Sequence, residues 1–153
     1  MIKPKEMRSI KRIFVHCTAG SQRQTVADLQ AEFKRKGWKH PGYHYVVQSD
    51  GKITQLLGEQ FVSNGVKGYN STAINVAYMG GIDAEGKATD NRTDAQKESL
   101  RKLLKLLKSR YPKAEIMGHR DISPDTNGNG KVDSWERIKE CPCFDAKEEY
   151  KEL

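Results

Sequence analysis

The sequence predicts a single-domain α/β fold in which a mixed central β-sheet is flanked by helices on both faces. Segments with the pattern of strands alternate with segments with the pattern of helices, which is typical of α/β domains. Two neighbouring strand-like segments flank Asp50-Gly51, a dipeptide that favours a hairpin and therefore an antiparallel strand pair. A chain of 153 residues has the usual size of one domain with one core.

Five short segments are predicted to be strands, because they are rich in β-branched and aromatic residues and are bounded by turn-forming residues. They cover residues 10–15, 43–48, 52–56, 73–79 and 114–117. The first ends at His16 and the last at Gly118-His119. Both histidines are therefore expected at strand ends, where an α/β sheet usually carries its reactive groups.

Two long helices are predicted over residues 25–36 and 93–111, where apolar residues recur every three or four positions. Each begins with residues that can form a capping box, namely Thr25 with Asp28 and Thr93 with Gln96. A short helix near residues 134–138 and a charged helix from about Ala146 complete the prediction.

Composition and charge exclude some classes of protein. No run of residues approaches the roughly 18 consecutive apolar residues of a membrane span. The basic N-terminus is not followed by the apolar stretch of a secretory signal, so we expect a protein made in the cytoplasm without a signal peptide. The net charge of +7 favours an anionic partner, and charge alone does not choose among nucleic acid, a membrane surface and an acidic wall polymer.

His16, His119 and Cys141 are a candidate set of metal ligands. Two imidazoles and one thiolate suit zinc, which in catalytic sites takes three protein ligands and leaves a fourth tetrahedral position for water. Water on zinc ionises near neutral pH, so no strong protein base is needed. The spacing is not a local metal motif, and the alternative is that the histidines are ordinary buried imidazoles and Cys141 a small core residue.

Several motifs together resemble one known family. They are His16 in FVHCTAG, Gly42-Tyr43-His44-Tyr45 after Gly37-Trp38, Lys67-Gly68-Tyr69-Asn70 leading to Gly80-Gly81-Ile82-Asp83, Gly118-His119-Arg120-Asp121, and Lys139-Glu140-Cys141-Pro142-Cys143-Phe144-Asp145. In this order, over about residues 10–145, they are similar to the type-2 N-acetylmuramoyl-L-alanine amidases, specifically the small phage-lysozyme branch. The resemblance implies a mixed sheet flanked by helices, and hydrolysis of the amide between N-acetylmuramic acid and L-alanine in peptidoglycan.

The resemblance also places a zinc ion on the candidate ligand set and catalytic roles on Tyr43 and Lys139. A lysine ammonium two residues before a zinc ligand can stabilise the developing oxyanion, and a tyrosine hydroxyl can position water and relay protons. Without the resemblance, Tyr43 would be interpreted as a packing aromatic and Lys139 as a solvated cation at a helix end. Lys67 and Tyr69 are the expected substrate contacts.

Some nearby residues are expected to lie outside the site. His44 follows Tyr43 on a predicted strand and so points to the opposite face, which favours a structural role. Cys17 and Cys143 are interpreted as small apolar residues. Many members of the resembled family carry a histidine in the loop before Lys67, whereas residues 63–66 here are Ser-Asn-Gly-Val, so the contacts to the muropeptide are expected to differ.

Residues 125–136 fit the pattern of a calcium-binding loop, with Gly130 at the sharp turn. The ligand positions are Asp125, Asn127, Asn129, Lys131 (through its carbonyl), Asp133 and Glu136. Two asparagines in place of carboxylates weaken such a site, and the alternative is a polar turn before a helix. A bound Ca²⁺ would act as a structural clip that sets the separation of His119 and Cys141.

The sequence is therefore divided into a basic N-terminal extension, residues 1–9, and a zinc amidase domain, residues 10–153, with the calcium-loop-like insertion at 125–136. We expect a phage or prophage endolysin that acts on the cell wall after release or non-classical export. The expected partner is a peptidoglycan muropeptide, with no nucleic acid or membrane partner, and the expected state is a monomer.

Two other functions compete with this expectation. A non-catalytic peptidoglycan-binding module of the same fold would have lost a zinc ligand, whereas all three ligand positions are filled here. A basic nucleic-acid-binding protein would use the cations of the second long helix, but these also form the solvated side of an amphipathic helix. They are Arg101, Lys102, Lys105 and Lys108.

Overall fold

The computed structural model describes residues 8–122 and 141–153. Four of the predicted features lie outside the described residues: the calcium-loop-like segment 125–136, Lys139, the short helix near 134–138 and most of the N-terminal extension. Arg8 is described, and its guanidinium donates hydrogen bonds to the carbonyl oxygens of Glu59 (2.8 and 3.1 Å) and Asn70 (3.0 Å).

The described residues form a five-stranded mixed sheet with the strand order β3-β2-β4-β1-β5. Its strands are β1 (Arg12–Cys17), β2 (Tyr45–Val47), β3 (Ile53–Gln55), β4 (Ala73–Tyr78) and β5 (Glu115–Gly118). β1 runs parallel to β4 and β5, β2 runs parallel to β4, and β3 pairs antiparallel with β2 through the predicted hairpin. Gly51 has φ +89 in that turn, a conformation that glycine adopts without strain.

Within residues 8–122 and 141–153, three α-helices accompany the sheet: α1 (Val26–Arg35), α2 (Asp94–Arg110) and α3 (Ala146–Glu149). Both predicted capping boxes are present, with Thr25 and Asp28 at α1 and Thr93 and Gln96 at α2. Short 3-10 turns cover Asn70–Thr72 and His119–Ile122.

The helices cover both faces of the sheet, as predicted. α1 packs Leu29 and Phe33 against one face, in a cluster with Val46, Ala77 and Met79. α2 packs four buried leucines against the other face, and α3 joins that cluster through Ala146. Each fully buried leucine contributes about 2 kcal/mol to the free energy of folding relative to an exposed one, so packing of the helices stabilises the sheet.

The first strand extends further than the sequence predicts. Residues 10–15 were expected and β1 is Arg12–Cys17, so His16 lies inside the strand and not in the loop after it. The reason is that pairing with β4 continues past the apolar residues, with His16 opposite Ala77 and Cys17 opposite Tyr78. His119 directly follows β5, as expected.

Candidate metal centre

The carboxyl ends of two adjacent parallel strands bring the two candidate histidines together. Val15 of β1 is paired with Gly118 of β5, and His16 and His119 each follow one member of that pair. Their rings meet edge to face, with 5.1 Å between ring centroids. His16 is 1% exposed, so its orientation is set by the packed sheet around it.

Cys141 reaches the same point from the C-terminal segment, residues 141–153. Its carbonyl oxygen accepts a hydrogen bond from the Arg120 backbone N–H (2.8 Å), and its sulfur accepts one from the Cys17 backbone N–H (3.2 Å). The approach requires glycine at position 118, because a Cβ there would lie 2.5 Å from Cδ of Pro142.

The donor atoms of the three residues suit one metal ion. One ligand atom from each of His16, His119 and Cys141 can be chosen so that all lie within 4.8 Å of one another. Nδ1 of His16 is 3.6 Å from Sγ of Cys141. A tetrahedral zinc ion, about 2.0 Å from nitrogen and about 2.3 Å from sulfur, places such atoms about 3.5 Å apart. The residues present therefore fit a single zinc ion.

Tyr43 lies beside this centre. It precedes β2, its ring centroid is 5.2 Å from that of His16, and its hydroxyl donates a hydrogen bond to the Cys17 carbonyl oxygen (3.4 Å). Burial, followed by negative charge at Cys141, raises the pKa of Tyr43 well above its usual value. The hydroxyl therefore keeps its proton and can donate a hydrogen bond within the site.

A cleft of about 270 Å³ opens over the metal centre. It is lined by the three candidate ligands, by Tyr43, and by residues from the end of β1 and the loop after it, from α1 and the loop after it, and from the loop before β4. These further residues are Cys17, Thr18, Ala19, Leu29, Glu32, Phe33, Lys36, Trp38, Gly42, Asn64 and Gly65. Trp38 stacks on Phe33, with centroids 5.5 Å apart, and Lys36 lies over the Trp38 ring.

The two predicted substrate contacts lie elsewhere. Among the described residues that line the cleft, neither Lys67 nor Tyr69 occurs. Tyr69 packs edge-on against Phe14, with centroids 6.0 Å apart, and Arg12 lies over its ring. Lys67 is exposed. Trp38 and Glu32 line the cleft and were not among the predicted site residues, although Gly37-Trp38 belongs to one of the motifs that carry the family resemblance.

Of the three residues interpreted as structural, Cys17 lines the cleft, and His44 and Cys143 do not occur among its described lining residues. His44 is fully buried, and burial lowers its pKa to about 4, so it is neutral at physiological pH. Strand alternation does not separate it from Tyr43, because β2 begins only at Tyr45. Hydrogen bonding to Cys141 and burial raise the pKa of Cys17 to about 12, and its sulfur is 3.9 Å from that of Cys143.

Two residues that the sequence did not single out support the centre. Asn75 of β4 is fully buried, and its Oδ1 is 2.7 Å from Nε2 of His16. The sequence signal that could have identified Asn75 is a polar side chain within the otherwise apolar strand AINVAY.

Arg92, 8% exposed, holds the C-terminal segment. Its guanidinium donates hydrogen bonds to Glu149 (2.6 and 2.9 Å) and Asp90 (2.9 and 3.0 Å), and it lies 3.4 Å from the Phe144 ring centroid.

No helix within residues 8–122 and 141–153 combines the length and the apolar character needed to cross a membrane.

Comparisons with known proteins identify relatives over most of the chain. The profile of the N-acetylmuramoyl-L-alanine amidase family matches residues 6–142. The endolysin of Klebsiella phage KP32 is 38% identical over 138 residues, covering 89% of this chain and 82% of the relative. The endolysin of Escherichia phage T7 is 37% identical over 145 residues, covering 94% and 87%. Among solved structures, the Ph2119 endolysin from Thermus scotoductus MAT2119 bacteriophage Ph2119 superposes with a TM-score of 0.66 at 25% identity, covering 92% of this chain and 84% of that one.

Proposed function

The chain belongs to the N-acetylmuramoyl-L-alanine amidase family, and we propose that it works as a zinc enzyme with His16, His119 and Cys141 as the metal ligands. It hydrolyses the amide that joins N-acetylmuramic acid to L-alanine in peptidoglycan, as a phage or prophage endolysin. The observation that carries the zinc proposal is that donor atoms from β1, the end of β5 and the C-terminal segment come within 4.8 Å of one another at the floor of a cleft.

The reaction adds water across one amide bond. The water oxygen joins the lactyl carbonyl carbon, the C–N bond breaks, and the L-alanine amine leaves with a proton. When bound, zinc supplies Lewis-acid polarisation and makes water acidic near neutral pH. The chain has to orient the substrate, hold the water and deliver the proton.

Tyr43 is proposed to orient the water and relay its proton. Its hydroxyl is protonated, and its ring packs between His16 and Phe33 with centroids 5.2 and 5.6 Å away, so its position over the centre is restricted. Lys139 is proposed to stabilise the oxyanion from its place two residues before Cys141. Tyr43→Phe and Lys139→Ala should therefore retain zinc and lose turnover, by about 10²-fold or more.

The cleft is proposed to hold the muramyl lactyl group and the first residues of the stem peptide. Its wall carries opposite charges at Glu32 and Lys36, which are 3.6 Å apart, and the aromatic face of Trp38. Lys67 and Tyr69 are proposed to contact parts of the polymer beyond the cleft. The partner is peptidoglycan and the protein acts on the cell wall after release, as a monomer without nucleic acid.

Residues 125–136 are proposed to bind Ca²⁺ as a structural clip. Because the loop separates His119 from Cys141 in sequence, an occupied loop would reduce the number of conformations open to the connection. Selective removal of calcium should lower both the melting temperature and the zinc affinity. If neither changes, the clip is ruled out.

Mass spectrometry of purified sacculi after digestion tests the activity. The expected products are glycan chains with free lactyl carboxylates and stem peptides with a free L-alanine amino group. Products cut within the glycan or within the peptide would contradict the proposal. A non-catalytic peptidoglycan-binding module would bind the sacculi and release nothing.

The zinc requirement is tested on the same digestion. Treatment with a chelator should abolish release, and added zinc should restore it where added calcium does not. Full activity of a preparation shown by elemental analysis to contain no metal would contradict the mechanism.

A further inference from the structure

We propose that Asn75 is a positioning residue that decides which ring nitrogen of His16 faces the metal. By accepting the hydrogen of Nε2 it leaves Nδ1 deprotonated and directed at the shared ligand position. This inference rests on the proposed zinc site and adds to it a residue outside the ligand set.

The hydrogen bond between the two side chains is short and buried. Asn75 Oδ1 lies 2.7 Å from His16 Nε2, and the two residues are 0% and 1% exposed. They sit on the neighbouring strands β4 and β1, where Asn75 is paired with Phe14, two residues before His16. Side chains two residues apart in a strand share a face, so the sheet register places the amide directly beside the imidazole.

The orientation of the Asn75 amide follows from its partners. Oδ1 of Asn70 accepts a hydrogen bond from the Val66 backbone N–H (2.7 Å), which identifies that atom as an oxygen. The atom of Asn75 that faces it, at 3.4 Å, must therefore be the donor Nδ2. Nδ2 also donates to Ser63 Oγ at 2.7 Å. The other amide atom, Oδ1, is thus the acceptor that faces His16.

An acceptor at this place selects one tautomer of His16. Oδ1 can bond only to a protonated Nε2, so in the neutral ring Nδ1 carries the lone pair. Nδ1 is the nitrogen that lies 3.6 Å from the Cys141 sulfur. The opposite tautomer would direct an N–H at the ligand position and leave Oδ1 buried without a donor, which is unfavourable.

Asn75 is itself held by a buried polar network. Its backbone N–H donates to Nδ1 of His44 (3.1 Å), and the Ser63 hydroxyl lies 3.3 Å from the same nitrogen. Because His44 Nδ1 accepts the backbone hydrogen, its Nε2 carries the proton and donates to the Phe61 carbonyl oxygen (2.8 Å). Gly65 leaves the room for the amide, since a Cβ there would lie 2.3 Å from Asn75 Cγ.

The test compares zinc affinity among variants by competition with a chromophoric chelator. Asn75→Ala should raise the zinc dissociation constant by about 10–100-fold, the usual cost of losing the hydrogen-bond partner of a ligand. Asn75→Asp, whose carboxylate can accept from Nε2–H, should stay within about threefold of the wild type. Ser63→Ala is the matched control, because it removes a partner of Nδ2 and keeps the contact to His16.

The outcomes separate a positioning role from a structural one. If Asn75→Ala lowers the stability of the metal-free protein but binds zinc as the wild type does, the proposal is overturned. It is also overturned if Asn75→Asp loses as much affinity as Asn75→Ala. If the wild type itself binds no zinc, the proposed function fails, which is a different result.

Nitrogen-15 spectra of the histidine rings in the zinc-loaded wild type provide a readout that needs no variant to fold. The proposal expects His16 to carry its proton on Nε2 and to bind the metal through Nδ1. Coordination through Nε2 would overturn it.

Discussion

The two sides of the candidate metal centre are positioned in different ways. His16 belongs to a strand in which every residue is paired with β4, and its Nε2 is hydrogen-bonded to Oδ1 of Asn75. Cys141 belongs to no strand. Its segment is held by packing of Phe144, Ala146 and Tyr150 in the core and by the hydrogen bond from the Tyr78 hydroxyl to the Pro142 carbonyl oxygen (2.7 Å). The sheet side is therefore positioned by strand pairing, and the C-terminal side by side-chain packing and single hydrogen bonds.

This difference assigns separate roles to two buried groups. The network around Asn75 and His44 belongs to the sheet side and connects β1, β4 and the residue that precedes β2. Arg92 belongs to the C-terminal side, because it joins the segment before α2 to Glu149 and Phe144. Changes on the sheet side should affect folding and zinc together, whereas changes at Cys141 should affect zinc alone.

The largest expected effect comes from removing a ligand. Cys141→Ser and His16→Ala should both lower zinc affinity by more than about 100-fold and abolish release of stem peptides. Only His16→Ala should also destabilise the metal-free protein, by about 1–3 kcal/mol, because Asn75 Oδ1 loses its donor in a buried place. Urea unfolding in a chelator measures this, and equal stabilities of the two variants would remove the distinction between the two sides.

The next effect concerns the attachment of the C-terminal segment. Arg92→Met should lower the free energy of unfolding by about 3 kcal/mol, at the low end for a buried ion pair because Asp90 and Glu149 are 30% and 39% exposed. Arg101→Met is the control, since Arg101 also pairs with the C-terminal segment, at Glu152, but on the surface. Arg101→Met should lower the free energy of unfolding by about 0.5 kcal/mol. Similar losses in urea unfolding would show that burial of Arg92 does not matter.

The free energy of unfolding should depend on pH through His44, which lies on the sheet side. Burial lowers the pKa of His44 from 6.5 to about 4, so between these values the unfolded chain binds a proton that the native protein does not. Stability should therefore fall with decreasing pH, by about 2 kcal/mol from pH 7.5 to 5. Metal-free unfolding at several pH values measures it. The slope should be smaller in His44→Gln, and an unchanged slope would assign the effect to other groups.

The smallest effect tests the close approach at position 118. Gly118→Ala should lower the free energy of unfolding by about 1 kcal/mol, because the new Cβ would displace Pro142. Zinc affinity should also fall, because Cys141 would move with Pro142. Gly37→Ala is the control: its φ of +76 strains alanine, but nothing lies within 4 Å of the added Cβ. Gly37→Ala should lower the free energy of unfolding, measured by thermal unfolding, by a similar amount and should leave zinc affinity unchanged. A parallel loss of zinc in both variants would contradict the geometric explanation.

The sequence predicted most of the fold because its signals are local. The Asp50-Gly51 turn, the capping boxes of α1 and α2 and the apolar face of α2 each act within a few residues. The limits of β1 were wrong by two residues, because pairing with β4 carries the strand through the polar His16.

The site was predicted less completely, for a physical reason. His16, His119 and Cys141 are recognisable as donor types within motifs, whereas the role of Asn75 depends on its register opposite Phe14, which only the folded sheet sets. The expected structural role of His44 stays a prediction: His44 does not occur among the described residues that line the cleft, although both it and Tyr43 precede β2, so strand alternation is not the reason.

X-ray absorption at the zinc edge, combined with elemental analysis, tests whether His16, His119 and Cys141 bind zinc. We expect one zinc per chain, bound to one sulfur at about 2.3 Å and to nitrogens at about 2.0 Å, with the sulfur signal absent from Cys141→Ser. A fully active protein whose zinc has no sulfur ligand, or which contains no zinc, would contradict it.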